Sequence, residues 1–215
     1  MQRLNQQLQA DHLATDLINL IATIATAGKD IAFRLQQGAM SGVLGSAGEE
    51  NVQGETQKKL DVISNDLLKD YLLSSGTVRA IASEEEESIV SGSLDGNYLV
   101  AFDPLDGSSN IDINSMVGTI FSIFTAPRSG AASEQDFLQP GRQQTAAGYV
   151  LYGPSVMLVL TTGNGVQMYT LDQSIGEFVL TVEKVAIPLT PKNLPLICPI
   201  SDSGPNPCNA TLQTC

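Results

Sequence analysis

Residues 102–110, Phe-Asp-Pro-Leu-Asp-Gly-Ser-Ser-Asn, decide how the rest of this chain is interpreted, because they carry two carboxylates directly after a buried strand. The apolar residues 98–102 predict that strand. The proline favours extended backbone in the aspartate before it, so we expect the side chains of Asp103 and Asp106 and the carbonyl of Leu105 to converge. Mg²⁺ binds such oxygens, usually a few carboxylates together with substrate phosphate. The stretch therefore predicts a magnesium site at a strand end.

The small residues that come next, Gly107, Ser108 and Ser109, favour a phosphate-binding turn. They allow close approach of the backbone, and N–H groups at the start of a helix attract anions. The alternative is an ordinary surface turn, since Asp and Gly are common turn formers. On this segment alone both interpretations stay open.

A second acidic segment strengthens the prediction of a site. Residues 78–82 are typical of a short apolar strand and lead directly into Ser83-Glu84-Glu85-Glu86-Glu87. Four consecutive acids usually mark a solvated face. Here both acidic segments follow strands, and ligands of open α/β sheets bind at the carboxyl ends of strands. We therefore expect the two segments to share a cation.

A short amphipathic helix is predicted over residues 58–71, with Gly76 as its stop signal. Its apolar residues recur at helical spacing: Leu60, Ile63, Leu67 and Tyr71. Asp61 falls in the first turn, where the helix dipole favours a carboxylate. Capping is therefore the structural alternative to a catalytic role for Asp61.

Composition excludes several other kinds of site. His12 is the only histidine and lies near the N-terminus, where we expect a surface side chain, so histidine catalysis and a histidine-rich zinc site are not predicted. The three cysteines form no C-x-x-C motif and lie in the last stretch: Cys198, Cys208 and Cys215. The net charge of −12 argues against a nucleic-acid partner. No apolar run approaches membrane-spanning length, so no membrane partner is expected.

The layout predicts amphipathic helices packed on a mixed, largely antiparallel sheet, a layered α+β arrangement. A long amphipathic helix is expected from Leu13 onward, ending at Gly38. Five strand-like stretches follow the acidic segments: residues 116–125, 146–152, 155–162, 166–171 and 177–182. Residues 163–165, Gly-Asn-Gly, predict a hairpin turn.

Several blocks of sequence together resemble class 1 fructose-1,6-bisphosphatases. They occur in the family's order between about residues 17 and 188: 54–66, 82–85, 103–112, 138–142 and 146–149. The resemblance implies a sugar-phosphatase fold and Mg²⁺-dependent hydrolysis of the 1-phosphate of fructose 1,6-bisphosphate. The Asp-Pro-Leu-Asp-Gly-Ser core is shared with the wider inositol-monophosphatase-like group, so an inositol-type phosphomonoesterase is the alternative.

The resemblance also implies roles for individual residues. The implied metal ligands are the carbonyl of Leu105 and the side chains of Glu84, Glu85, Asp103 and Asp106. Two acids are implied to orient or deprotonate the attacking water: Asp61 and Glu85. The implied substrate-binding residues are Asp106, Gly107, Ser108 and Ser109. The resemblance further implies a cofactor of two or more Mg²⁺ ions, with Mn²⁺ or Zn²⁺ as substitutes. It also implies a sugar bisphosphate substrate and a homotetramer.

The resemblance ends near Pro188, and this shapes the expected organisation. We expect residues 1–188 to form the metal- and phosphate-binding N-terminal domain, and residues 189–215 to be an irregular, disordered tail. Family members continue into a second half, so an uncovered apolar sheet face is expected where that half would pack. A non-catalytic fragment that binds metal weakly and associates with full-length subunits through its helices is therefore a further alternative. The expected compartment is the cytoplasm, with the plastid stroma as the alternative.

Overall fold

The structure, a computed structural model, describes residues 1–38, 46–50 and 56–186. The expected tail lies outside these residues. The described elements are α1 Leu4–Ala10, α2 Thr15–Gln37, β1 Ser46–Glu50, β2 Thr56–Lys58, α3 Lys59–Ser74, β3 Val78–Ser83, β4 Val90–Ser91, β5 Tyr98–Asp106, a 3₁₀ helix Ser108–Ile113, β6 Val117–Thr125, 3₁₀ turns Glu134–Phe137 and Gly141–Gln143, β7 Ala146–Tyr152, β8 Val156–Thr161, β9 Val166–Asp172 and β10 Glu177–Val185.

The large sheet has eight strands within the described residues, in the order β10-β9-β8-β7-β6-β5-β3-β4. Every neighbouring pair is antiparallel except β3 and β5, which run parallel. This confirms the predicted mixed, largely antiparallel sheet. The parallel pair ends with Ser83 opposite Phe102, so the two acidic segments begin side by side at this edge of the sheet.

The helices cover one face of this sheet. The long helix α2 ends where Gly38 was expected to end it, and Gly38 has a positive φ of 50°. Its apolar side chains are buried every three to four residues and join the main core: Leu17, Leu20, Ile21, Ile24 and Ile31. Gly28 lets the helix approach the sheet closely, because a Cβ there would lie 3.2 Å from Val150. The amphipathic pattern thus predicted this layer correctly.

Helix α3 buries a broader face than its apolar spacing predicted. Leu60 is buried as expected, while Ile63, Leu67 and Tyr71 are only partly buried. Two other residues, Leu68 and Leu72, lie deeper because α3 packs against α2 on one side and against the sheet on the other. The same helix also buries polar side chains, which apolar spacing does not predict: Asp61, Ser64 and Asn65.

Strand β5 is longer than the five residues predicted and continues through Asp106. Antiparallel pairing with β6 carries on past the point where β3 ends, with Asp103 opposite Ile120 and Asp106 opposite Gly118. A register shift between these two pairs accommodates Pro104, which has no N–H to donate. The carbonyl of Pro104 accepts a hydrogen bond from Thr119 Oγ1 at 2.8 Å. Asp103 therefore lies within a bulged strand rather than at its end, and the strand leads through Gly107 into the 3₁₀ helix.

The face of the sheet opposite the helices is partly covered by a second, smaller apolar cluster, and the remainder, which we name the open face, is exposed. Cross-strand register places Asp103, Ile120, Tyr149 and Val159 in one row on this face. Ile120 is 46% exposed and Tyr149 is 43% exposed. Phe121 points the other way and is buried in the main core. The open face therefore carries large apolar side chains, as expected for a surface that a further layer would cover.

The orientation of α2 against the sheet leads to a stability prediction. Replacing fully buried Leu20 by alanine is expected to lower the free energy of unfolding by about 2–5 kcal/mol, because it leaves a cavity in the core. Phe33 on the same helix is 60% exposed, and its replacement by alanine is expected to change stability by less than about 0.5 kcal/mol. Urea unfolding measures both, and equal losses would contradict the orientation of α2.

Candidate active site

Two candidate acids lie in a tight turn directly after β3. The N–H of Glu86 donates to the carbonyl of Ser83 at 3.2 Å, so Glu84 and Glu85 are the central residues of a β-turn, which we name the acid turn (residues 83–86). The N–H of Glu84 donates to the carbonyl of Phe102 on β5 at 3.0 Å. The acid turn is thus fastened to the strand that carries the other acidic segment.

A hydrogen bond within its own segment of β5 orients the Asp103 side chain. Its Oδ1 accepts a hydrogen bond from the N–H of Leu105 at 3.0 Å, the pattern of an Asx-turn. Leu105 itself is buried, with 3% of its surface exposed. The buried Leu105 side chain therefore anchors the turn while the Asp103 side chain stays on the open face.

A cavity of about 720 Å³ lies on this open face, and both Glu84 and Asp103 line it. Its remaining wall is mostly apolar, and the four strands β5 to β8 contribute much of it: Ala101, Ile120, Ser122, Ala147, Tyr149, Val159 and Thr161. Cavities of this size hold small molecules. The cavity thus has an acidic edge next to the acid turn and an apolar floor on the sheet.

Asp61 lies at the start of α3 and is only 3% exposed. Its Oδ2 accepts a hydrogen bond from the N–H of Lys58 at 2.7 Å, which caps the helix. Burial raises the pKa of Asp61 to about 6, although hydrogen bonds from the Lys58 N–H and the Ser108 side chain oppose the shift. The negative charges of Glu85 and Asp103 raise this pKa further. The capping role is therefore present, and burial raises the pKa of the same carboxyl to about 6.

The candidate phosphate segment follows β5. Gly107 has a φ of 77°, in the left-handed region that favours glycine, and precedes the 3₁₀ helix Ser108–Ile113. Ser108 is partly buried beside Asp61, whereas Asp106 and Ser109 are exposed. Lys58 Nζ forms an ion pair with Asp112 Oδ2 at 2.7 Å, which joins the 3₁₀ helix to the start of α3. The segment is therefore held next to Asp61 from both of its ends.

The structure brings together some of the predicted residues. Glu84 and Asp103 share a cavity, and Asp61 lies close enough to Glu85 and Asp103 to feel their charges. Asp106 does not line that cavity. Within residues 1–38, 46–50 and 56–186, no group of three or more His, Cys, Asp or Glu side chains is already assembled to hold a metal ion.

The donor types nevertheless fit the divalent cation that the resemblance implies. The neighbouring acids supply carboxylate oxygens, the hard ligands that Mg²⁺ binds. Mg²⁺ commonly retains several waters and takes only one or two carboxylates together with substrate phosphate. A sheet edge at which Glu84 and Asp103 line the same cavity therefore suits Mg²⁺, even though the protein does not supply a complete set of ligands.

Sequence reasoning missed two connections at this site. One is the ion pair of Lys58 with Asp112, which lie 54 residues apart in sequence. The other is Asn65, which is 6% exposed and hydrogen-bonds to both ends of the acid turn. The available signal for Asn65 was its position one turn after Asp61 on the same helix face.

Most of the chain matches a known protein family. The family model described as "Fructose-1-6-bisphosphatase, N-terminal domain" matches residues 2–183. A class 1 fructose-1,6-bisphosphatase of Idiomarina loihiensis is 63% identical over 188 residues, and one of Shewanella amazonensis is 61% identical over 187 residues. Each alignment covers 87% of this chain and 58% of the relative. The chain therefore spans less than two thirds of the length of these relatives.

Solved structures agree with the sequence comparison. Leishmania major fructose-1,6-bisphosphatase in its holo form matches with a TM-score of 0.82 and 41% sequence identity. That match covers 86% of this chain and 60% of the Leishmania chain. The mixed α+β fold is thus shared with these proteins.

The elevated pKa of Asp61 leads to a pH prediction. A carboxyl whose pKa is higher in the folded state stabilises the fold below its unfolded value of 3.8, and that stabilisation is lost as pH rises through about 6. Asp61→Asn keeps an acceptor for the helix cap but cannot ionise. Between pH 4.5 and 7.5 the variant is expected to gain about 1–2 kcal/mol relative to the parent chain, after allowance for solvent screening.

Urea unfolding at a series of pH values, in the presence of EDTA, measures this difference. A constant stability difference between Asp61→Asn and the parent chain across the range would contradict the raised pKa. Asp66→Asn on the same helix is the matched control, because the Asp66 side chain is 63% exposed. Its stability relative to the parent chain is expected to stay flat.

Proposed function

Because this chain belongs to the class 1 fructose-1,6-bisphosphatase family, we propose that it hydrolyses the 1-phosphate of fructose 1,6-bisphosphate, giving fructose 6-phosphate and phosphate. The observation that carries the proposal is the parallel end of β3 and β5, where Glu84 and Asp103 line one cavity beside Asp61. This arrangement combines acids for a cation with a nearby carboxyl for the water. An anionic substrate would otherwise be repelled by a chain of net charge −12.

The proposed cofactor is Mg²⁺, in two or more ions, with Mn²⁺ or Zn²⁺ as substitutes. When bound, such ions stabilise charge on the transferring phosphoryl group and lower the pKa of water. The proposed ligands are the side chains and carbonyl implied by the resemblance: Glu84, Glu85, Asp103, Leu105 and Asp106. Their mutual repulsion at one strand edge is the reason that a cation would stabilise them.

Asp61 and Glu85 are proposed to orient the attacking water and to accept its proton. The pKa of Asp61, about 6, supports this role, because a general base works best when its pKa lies near the working pH. The N–H of Lys58 and the side chain of Ser108 fix the direction of the Asp61 carboxylate. Gly107, Ser108 and Ser109 are proposed to hold the 1-phosphate, with Asp106 beside it.

A direct test is phosphate release from fructose 1,6-bisphosphate by the purified chain in Mg²⁺. Asp61→Asn is expected to lower kcat by about 10²- to 10⁴-fold, the usual contribution of a general base. Asp66→Asn, an exposed change on the same helix, is expected to leave kcat unchanged. Release from inositol monophosphate is expected to be slower than from the sugar bisphosphate, and the reverse preference would favour the inositol-type alternative.

A second candidate function is a non-catalytic fragment that associates with full-length subunits. The exposed Ile120 and Tyr149 on the open face favour this candidate, because large apolar patches mark interaction surfaces. We expect sedimentation to detect association with a full-length class 1 relative. Tyr149→Glu is expected to abolish it, whereas a change at exposed Phe33 on the helical side is expected to preserve it. Equal loss in both variants would contradict a role for the open face.

The remaining organisation is proposed on the same grounds. We propose residues 1–188 as the metal- and phosphate-binding domain, residues 189–215 as a tail outside it, and a homotetramer as the assembly of the complete protein. The named bacterial relatives favour the cytoplasm over the plastid stroma. No helix in the described ranges has the length and apolar character needed to cross a membrane.

A further inference from the structure

Asn65 on α3 holds the acid turn at both of its ends. Its Oδ1 accepts a hydrogen bond from Ser83 Oγ at 2.7 Å, where the turn begins. Its Nδ2 donates to Glu86 Oε1 at 2.8 Å, where the turn ends. Glu84 and Glu85 lie between these two attachment points. One side-chain amide thus bridges the two ends of the segment that carries two proposed metal ligands.

The contacts around this bridge extend it in both directions. The Ser83 hydroxyl also accepts a hydrogen bond from the N–H of Glu85 at 3.3 Å, so the bridge reaches the backbone of a proposed ligand. At the other end, Glu86 accepts a short hydrogen bond from Lys69 Nζ, one turn after Asn65 on the same helix. Helix α3, which also carries Asp61, therefore fixes the position of the acid turn through two side chains, Asn65 and Lys69.

The chemistry of the bridge suits an amide. The serine hydroxyl needs an acceptor and the Glu86 carboxylate needs a donor, and the asparagine amide offers both groups on one short planar side chain. Asn65 is 6% exposed, so water has little access to replace either bond. An aspartate of the same shape would keep the acceptor for Ser83 but would set a second negative charge against Glu86.

We propose that Asn65 is a positioning residue that fixes the acid turn so that Glu84 and Glu85 are ready to bind a divalent cation. The inference rests on the proposed function for the identity of the ligands. It goes beyond that function by assigning Glu86, the third acid of the run, to the clamp rather than to the metal. Partners behind the ligands of metal sites typically contribute 10- to 100-fold in metal affinity.

The test measures Mn²⁺ binding to the full chain by electron paramagnetic resonance. Charge alone predicts that Asn65→Asp binds Mn²⁺ more tightly, because the variant adds a negative charge near the site. Loss of the clamp predicts the opposite, a Kd about 10- to 100-fold weaker. The matched control is Asn164→Asp, which adds the same charge in the exposed turn between β8 and β9 and is expected to leave the Kd unchanged.

A double variant that exchanges the amide and the carboxylate between positions 65 and 86 tests whether Mn²⁺ binding can be restored. In the double variant Asn65→Asp with Glu86→Gln, the new glutamine amide donates to the new aspartate, and the net charge equals that of the parent chain. The Kd is expected to return to within about threefold of the parent value if the clamp is what matters. A double variant that binds as weakly as Asn65→Asp alone would overturn the proposal.

Amide hydrogen exchange tests the same inference without metal. The N–H groups of Glu85 and Glu86 are expected to exchange about tenfold faster in Asn65→Asp, while those in the centre of β5 keep the parent rate. Ser83→Ala removes only one end of the clamp and serves as a milder variant should Asn65→Asp fail to fold. Unchanged exchange at Glu85 and Glu86 in a folded variant would overturn the proposal.

The two levels of inference are distinguishable by these measurements. If the parent chain binds no Mn²⁺, the proposed metal function is contradicted, and the exchange rates still decide whether Asn65 holds the turn. If the parent chain binds Mn²⁺ and Asn65→Asp binds it equally well or more tightly, the proposed function stands and the positioning role is overturned.

Discussion

The parallel pairing of β3 with β5 is the constraint on which the rest of the site depends. It is the one parallel pair in the described part of the large sheet, and it ends with Ser83 opposite Phe102. Beyond this pair, both strands lead into acidic residues at the same edge, the first through the acid turn and the second along β5 itself. An antiparallel pairing would have sent the two acidic segments to opposite ends of the sheet. The register of a single strand pair therefore determines whether these carboxylates meet.

Helix α3 converts this meeting point into a defined site. Its first turn carries Asp61, which lies beside Asp103, and its next turn carries Asn65, which bonds to the acid turn. One helix therefore contacts both acidic segments. The lysines at positions 58 and 69 are engaged by Asp112 and Glu86, acids that flank the proposed ligands in sequence. Those pairs tie the 3₁₀ helix to the start of α3 and the acid turn to its interior. Burial is the main cause of the raised pKa of Asp61, and the negative charges of Glu85 and Asp103 raise it further.

Much of the fold was predictable because apolar periodicity reports burial directly. The long helix ending at Gly38 and the five later strands follow their predicted stretches to within a few residues, and Gly163 and Gly165 have the positive φ values of the expected turn. The extension of β5 to Asp106 was not predictable, because it depends on pairing with β6 across a bulge. Asn65 and the pair of Lys58 with Asp112 were also missed. Long-range polar contacts leave no periodic pattern in a sequence, whereas buried apolar faces do.

The central claim is that three separate segments of sequence form one cation site at the end of β3 and β5. Paramagnetic broadening of backbone amide signals during a Mn²⁺ titration tests it most directly, because the effect depends on distance from the bound ion. We expect the signals of the acid turn, of residues 103–107 and of the first turn of α3 to broaden together at the same substoichiometric Mn²⁺ concentration. Broadening of only one of these segments, or of none, would contradict it.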